Sequence, residues 1–235
     1  MTETRQKYAV IMAGGHGLRM GSDTPKQFLL LGGKTILQRT IEKFVKAVPD
    51  VKIVTVLPKE CMQIWKNICV SDNFIVPQIL AVGGITRFHS VKNALAKIPD
   101  GSLVAIHDGV RPLISQDLIK KMFAKMENIR ALIPVIPMTD TLKCLKKLEN
   151  GDLETIDNQE LDRSIVYGAQ TPQMFYSEDI KSAYRQAYDT SFTDDASVAL
   201  KKGISLSYIL GERYNIKITE PSDLKVAEAL WNQAN

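Results

Sequence analysis

Cysteine is scarce in this chain. Cys61, Cys69 and Cys144 are the whole complement of 235 residues. They form no C-x-x-C pair and complete no zinc spacing with the three histidines, which leaves out zinc ribbons, zinc fingers and thioredoxin-type redox motifs. Such thiols read as buried structural residues, and so few of them fit a reducing cytoplasm. Long apolar runs are missing too: no segment approaches the roughly 18 residues of a membrane span. Met1–Lys7 is polar and lacks the apolar core of a signal peptide. A cytoplasmic protein with no membrane partner is therefore expected. Charge of one sign is not in large excess, with 30 Lys and Arg against 26 Asp and Glu. No basic run interleaved with aromatics occurs, so no nucleic-acid partner is expected. Neither an internal repeat nor a low-complexity linker breaks the chain, and residues 1–235 read as a single domain.

What is present is an alternation of short Val- and Ile-rich runs with longer amphipathic stretches, the pattern of an α/β protein with a mostly parallel sheet flanked by helices. The expected strands are Tyr8–Met12, Lys52–Leu57, Gln78–Ala81, Leu103–His107 and Ala131–Ile136. Between them lie expected helices at Ile36–Val48, Glu60–Val70, Arg87–Lys97 and Gln116–Asn128, with Thr35 and Ser115 as N-caps. The rhythm breaks after Pro137. Thr141–Lys147 and Leu153–Asp157, joined through Asn150-Gly151, read as a β-hairpin too short and too charged to hold its own core. A protruding β-arm is thus expected at about residues 138–165. Helices at Ser177–Asp189 and Asp194–Lys202, strands at Ser205–Leu210 and Asn215–Ile218, and a helix over Pro221–Asn232 complete the pattern.

The segment Ala13-Gly14-Gly15-His16-Gly17-Leu18-Arg19-Met20-Gly21 follows the first strand. Glycines at 14, 15 and 17 let main-chain N–H groups approach an anion, and Arg19 and Lys26 add a fork and a mobile point charge. That combination suits a polyphosphate. Met20 stands where a dinucleotide fingerprint needs its third glycine, and Pro25-Lys26-Gln27 is not the G-K-[ST] of a P-loop. Further polar segments follow other strands, where ligands of open parallel sheets bind. One is Gly83-Gly84-Ile85-Thr86-Arg87-Phe88-His89-Ser90-Val91. Another is His107-Asp108-Gly109-Val110-Arg111-Pro112, whose aspartate can face a metal-bound phosphate while the arginine forks onto a second anion. His16, His89 and His107 have no base-and-nucleophile arrangement and read as structural.

Taken together, A-G-G-x-G-x-R-M followed by P-K-Q-F resembles the signature of sugar-phosphate nucleotidyltransferases. Its P-K-Q-F resembles the cytidylyltransferase branch that makes 4-diphosphocytidyl-2-C-methyl-D-erythritol. The G-G-x-x-R-x-x-S-V, H-D-x-x-R-P, D-T-L-K, D-R-S, A-Q-T-P-Q-M-F and N-I-K-I-T segments are similar to that family's motifs in the same order, from about Tyr8 to Ala229. The resemblance implies a Rossmann-like nucleotidyltransferase fold and CMP transfer from CTP to 2-C-methyl-D-erythritol 4-phosphate. It implies Ala13, Gly14, Gly15, Gly17, Gly83, Gly84 and Ser90 at the nucleotide, and Arg19, Lys26, Arg163 and Lys217 as catalytic cations. Asp108, Arg111, Thr141, Arg163, Thr171 and Lys217 are implied at the acceptor. Mg²⁺ is implied mainly on the phosphates with Asp108 nearby, as is a homodimer through the β-arm. Ile85 departs from an acidic residue usual there, and the span from Thr141 to Arg163 is longer than usual. Two other readings stay open: a ribitol 5-phosphate cytidylyltransferase, and a nucleotide-binding regulatory protein without turnover.

Overall fold

The computed structural model describes residues 5–15, 24–156 and 161–234. The chain begins with β1 (Lys7–Met12), a 3₁₀ turn (Lys26–Phe28), β2 (Leu30–Leu31), β3 (Lys34–Thr35), α1 (Ile36–Ala47), β4 (Lys52–Leu57) and α2 (Cys61–Ser71). It continues through β5 (Gln78–Val82), α3 (Arg87–Leu95), β6 (Leu103–Asp108), α4 (Gln116–Lys125) and β7 (Ala131–Pro137). The arm hairpin is β8 (Leu145–Lys147) and β9 (Leu153–Thr155). After it come β10 (Tyr167–Ala169), β11 (Gln173–Tyr176), α5 (Ser177–Ala183), α6 (Asp195–Lys201), β12 (Ser207–Leu210) and α7 (Pro221–Ala234).

The central sheet is mixed and mostly parallel. β1 pairs in parallel with β4 and β6, β4 with β5, and β7 with β12. β11 is wedged antiparallel between β6 and β7. Burial on both faces explains why the strands read as nearly continuous apolar runs. Along β1, Ala9 and Ile11 enter a core shared with α1, α2 and α4. Tyr8, Val10 and Met12 enter the opposite core, with α3, α5 and α6. Helix starts follow their caps. Thr35 and Gln38 close a capping box on α1, Asp194 and Ser197 close one on α6, and Ser115 caps α4.

Because β4 and β5 lie on one side of β1 and β6 on the other, the carboxyl ends of β1 and β6 bound the crevice where such sheets bind ligands. β10 and β11 both run antiparallel along β7, but two extra residues intervene between their registers. Thr171 and the cis-linked Pro172 bulge there, beside the end of β6.

Several sequence expectations need correction: the first arm strand begins at Leu145 rather than Thr141, and α3 and α4 end early, at Leu95 and Lys125. Asn215–Ile218 is irregular rather than a strand. Its polar groups go elsewhere: Asn215 Nδ2 donates to Thr171 O at 2.9 Å, and Ile218 N to Val110 O at 2.9 Å. Helix α5 stops at Ala183, six residues short of expectation, where Tyr184 takes a non-helical conformation (ψ 0) at the C-cap. No described helix is long and apolar enough to cross a membrane.

Candidate active site

The main chain leaves β1 in a turn that Ala13 N anchors to Val56 O at 2.9 Å. Gly109, just past β6, donates its N–H to Met12 O at 2.8 Å. A Cβ on Gly109 would lie 3.0 Å from that oxygen and 3.2 Å from Ala13 Cβ, so glycine allows the two loops to touch. Above this contact opens a cavity of about 320 Å³. Its walls bring together Ala13–Gly15, Lys26 and Gln27, Gly84–Arg87, Ser90, Asp108, Val110 and Lys217. Gly17 and Arg19, expected in the same loop, lie outside the described residues.

Ser90 organises one wall. Its Oγ accepts from Gly84 N at 2.9 Å and donates to Thr86 O at 2.9 Å. A Cβ on Gly14 or Gly83 would stand 3.6 or 3.5 Å from that oxygen. At Gly84 a Cβ would be 2.4 Å from His89 Cβ, which no side chain tolerates. Ser90 Oγ is therefore adjacent to all three glycines, of which Gly14 and Gly84 line the cavity and Gly83 does not. Ile85, 91% exposed, stands at the cavity rim.

The opposite wall is charged. Asp108 Oδ2 meets Arg111 Nε at 3.1 Å and Lys217 Nζ at 3.2 Å. Burial would raise this carboxyl, but Lys217, Arg87, Arg111 and His107 together hold it well below the usual carboxylate range. Lys217 remains 43% exposed and can serve the cavity as well as the carboxylate. Arg111 is turned inward, with Nη1 donating to Asn215 O at 2.6 Å. Thr171 is also buried: its Oγ1 accepts from Asp108 N at 3.1 Å and lies 3.1 Å from His107 Nδ1. Neither of these two residues lines the cavity. His107 is fully buried, and burial pushes its imidazole down to about 4.

Lys26 sits on the 3₁₀ turn, fixed from behind by Gln27, whose Nε2 donates to Ala13 O at 3.2 Å. Arg87, first residue of α3, forks onto the fully buried Asp195 at 2.8 and 2.6 Å, and Asp195 also accepts from Tyr184 OH at 2.5 Å. Burial opposes the arginine's charge, but Asp195 more than offsets it and raises its proton affinity. Sequence reasoning gives no role to Gln27, Arg87 or Asp195. Gln27 and Arg87 stand inside the two motifs, whereas Asp195 is 108 residues from its partner, with no signal in the chain. Thr141 and Arg163 stay outside the cavity of the single chain; both are exposed on the arm, with Arg163 Nη1 donating to Thr139 O at 3.0 Å.

A glycine-lined turn at a sheet crevice, with Lys26 and Lys217 lining one cavity and Lys217 paired to Asp108, is the arrangement of a nucleotidyltransferase-type site. The IspD family profile, 2-C-methyl-D-erythritol 4-phosphate cytidylyltransferase, matches residues 8–233, and the chain belongs to that family. A Bacteroides fragilis protein of that name is 46% identical over 222 residues, covering 94% of this chain and 98% of the relative. One from Porphyromonas gingivalis is 44% identical over 227 residues, covering 96% and 98%. Among solved structures, the Francisella tularensis 2-C-methyl-D-erythritol 4-phosphate cytidylyltransferase superposes with a TM-score of 0.77 at 30% identity, covering 95% of this chain and 99% of that one. The Anaerococcus prevotii 4-diphosphocytidyl-2C-methyl-D-erythritol synthase gives 0.78 at 27%, covering 97% and 96%.

Proposed function

We propose that this chain transfers CMP from CTP to 2-C-methyl-D-erythritol 4-phosphate, giving 4-diphosphocytidyl-2-C-methyl-D-erythritol and pyrophosphate. The observation that carries this reading is the cavity itself, where Lys26 and Lys217 converge beside a serine-and-glycine wall in a chain of this family. An oxygen of the acceptor phosphate attacks the α-phosphorus of CTP, and the bond to the bridging oxygen of the departing pyrophosphate breaks. Both reactants are anions, so positioning and charge compensation carry the catalysis and no protein nucleophile is needed. Lys26 and Arg19 take the triphosphate and the charge developing at the α-phosphorus. Lys217 holds the attacking phosphate. Arg111 and Thr171 act through Asp108, the first on its carboxylate and the second on its backbone N–H.

The donor set suits a divalent cation that arrives with the nucleotide. Asp108 supplies a single ionised carboxylate, and no cluster of three His, Cys, Asp or Glu exists among the described residues. That fits Mg²⁺ bound by one carboxylate and substrate phosphates. Asp108 would hold it, and it would supply further neutralisation of phosphate charge.

Thr141 and Arg163 are assigned to the active site of a second subunit, in a homodimer formed through the arm. Support comes from the apolar surface there: Leu153, Ile156 and Ile165 are 65%, 61% and 77% exposed. The three free thiols suit a reducing cytoplasm, where we place the reaction.

A panel of phosphorylated polyols and nucleoside triphosphates, read by pyrophosphate release, tests the assignment. Methylerythritol phosphate should exceed ribitol 5-phosphate in kcat/KM by at least roughly tenfold, because a mismatched hydroxyl pattern leaves buried polar groups unpaired. CTP should exceed UTP, since a donor on cytosine replaces an acceptor on uracil. Equal use of ribitol 5-phosphate overturns the acceptor, and binding of CTP without any pyrophosphate release returns the chain to a regulatory role.

A further inference from the structure

Lys26 and Lys217 both sit on segments outside the central sheet, one on a three-residue 3₁₀ turn and the other in irregular chain. Something else must fix their separation. A third apolar cluster, apart from the two cores that sandwich the sheet, gathers Leu29 and Leu31 just after Lys26 with Ile216 and Ile218 on either side of Lys217. Val110, between Asp108 and Arg111, joins them, and α7 closes the cluster with Leu224, Ala227 and Trp231.

We propose that α7 is a strut setting the position of Lys26 relative to Lys217, with Trp231 as the positioning residue at its far end. The near end is tied close to Lys217: Thr219 N and Glu220 N both donate to Asp223 Oδ2, at 2.8 and 2.9 Å. From Pro221 the helix runs about 15 Å to Trp231. There the indole lies against the turn between β2 and β3. A Cβ on Gly32 would be 2.2 Å from Trp231 Nε1, and Gly32 and Gly33 both have positive φ, 56° and 81°. Only a residue without a Cβ at position 32 accepts the ring so closely. On α1, Arg39 places its guanidinium 4.3 Å from the indole, donates Nε to Leu31 O at 3.0 Å, and donates Nη2 to Gly32 O. The hairpin so held begins three residues after Gln27 and carries Lys26 at its entrance. A shift of this turn by even 1 Å would move Lys26 out of line with the phosphate it serves.

The inference rests on the cytidylyltransferase reading and is tested by double-mutant cycles in the full chain. Trp231→Ala should lower kcat/KM by about 10- to 100-fold. In a Lys26→Ala background the same change should cost less than about threefold more, because a positioning residue has nothing left to position. Phe175→Leu, in the core on the opposite face of the sheet from the Lys26 turn, should act independently of Lys26→Ala. Multiplicative losses for Trp231→Ala and Lys26→Ala overturn the strut. Should Trp231→Ala not fold, Arg39→Gln carries the same cycle with the same criterion. If the unmodified chain releases no pyrophosphate, the cytidylyltransferase reading has failed, and the cycle is then read on the Kd for CTP, where additivity again overturns the strut.

Discussion

Lys217 Nζ stands 3.2 Å from Asp108 Oδ2, the oxygen that also holds Arg111. One carboxylate thus sets the position of a cation that faces the cavity and a cation that braces the loop behind it. Asp108→Asn keeps the shape but removes the charge that keeps Lys217 in place. We expect kcat/KM to fall by about 10²-fold, the scale of losing one preorganised electrostatic contact. The fall should lie mainly in kcat, because Lys217, set free, still binds the acceptor phosphate but no longer holds it in line. Steady-state kinetics with each substrate varied in turn checks this; a loss confined to the KM of CTP would leave Asp108 only a metal-holding role and separate it from Lys217.

The pH dependence of stability should show His107. Burial depresses its imidazole to about 4 in the folded chain, against about 6.5 when unfolded. As pH falls, the unfolded chain therefore takes up the proton first. The contribution is fully present above the unfolded value and is lost as pH drops toward the folded one. Between about pH 8 and pH 5 the loss should come to roughly 2 kcal/mol. Asp108, also depressed, adds its own loss only at lower pH, below about 3.9. Urea unfolding at both pH values for the parent and for His107→Gln measures the difference; an unchanged slope in the variant would reassign the effect.

The parallel half of the sheet was legible because its strands are buried on both faces and flanked by capped helices. Lys52–Leu57 and the start of α1 after Thr35 fall where expected. The second glycine motif and H-D-G were legible for a related reason, since Gly84 and Gly109 stand where a Cβ would crowd His89 and Met12 O. The antiparallel return was not. β11 is four residues long and reads as part of a motif, and its wedged place between β6 and β7 depends on partners more than forty residues away. Charge networks were hidden in the same way: nothing local marks Asp195 as the partner of Arg87.

Lys26 and Gln27 should be separable. Lys26→Ala is expected to slow turnover by roughly two to three orders of magnitude with the fold intact. Gln27→Ala removes only the bond to Ala13 O and should cost about tenfold in kcat/KM, as the turn loosens while its charge stays. Rapid-quench measurement of CMP transfer distinguishes them. A Gln27→Ala loss as large as that of Lys26→Ala would give the glutamine a direct part in the chemistry.

The arm assignment predicts complementation. Arg163→Ala and Lys26→Ala subunits, each inactive alone, should regain activity when mixed, since an isologous dimer leaves some sites with both residues intact. At equal mixing about a quarter of the sites are complete. Mixed dimers that form, as judged by mass, and stay inactive would place Arg163 outside the neighbouring site.

Thr171 offers the sharpest division between two roles. Family resemblance puts its hydroxyl on the acceptor phosphate, whereas here that hydroxyl is buried, accepting from Asp108 N at 3.1 Å beside His107 Nδ1. Thr171→Val keeps the volume and strands both groups, which should cost about 1–3 kcal/mol of stability. If Thr171 acts through Asp108, kcat should fall about tenfold or more with little change in the acceptor's KM, because the carboxylate and Lys217 shift together. A direct contact would give the opposite split, with the acceptor's KM rising while the thermal midpoint stays put. Thr171→Ser should restore the parent values in either case, so the split between kcat and KM, read with the melting curve, decides the matter.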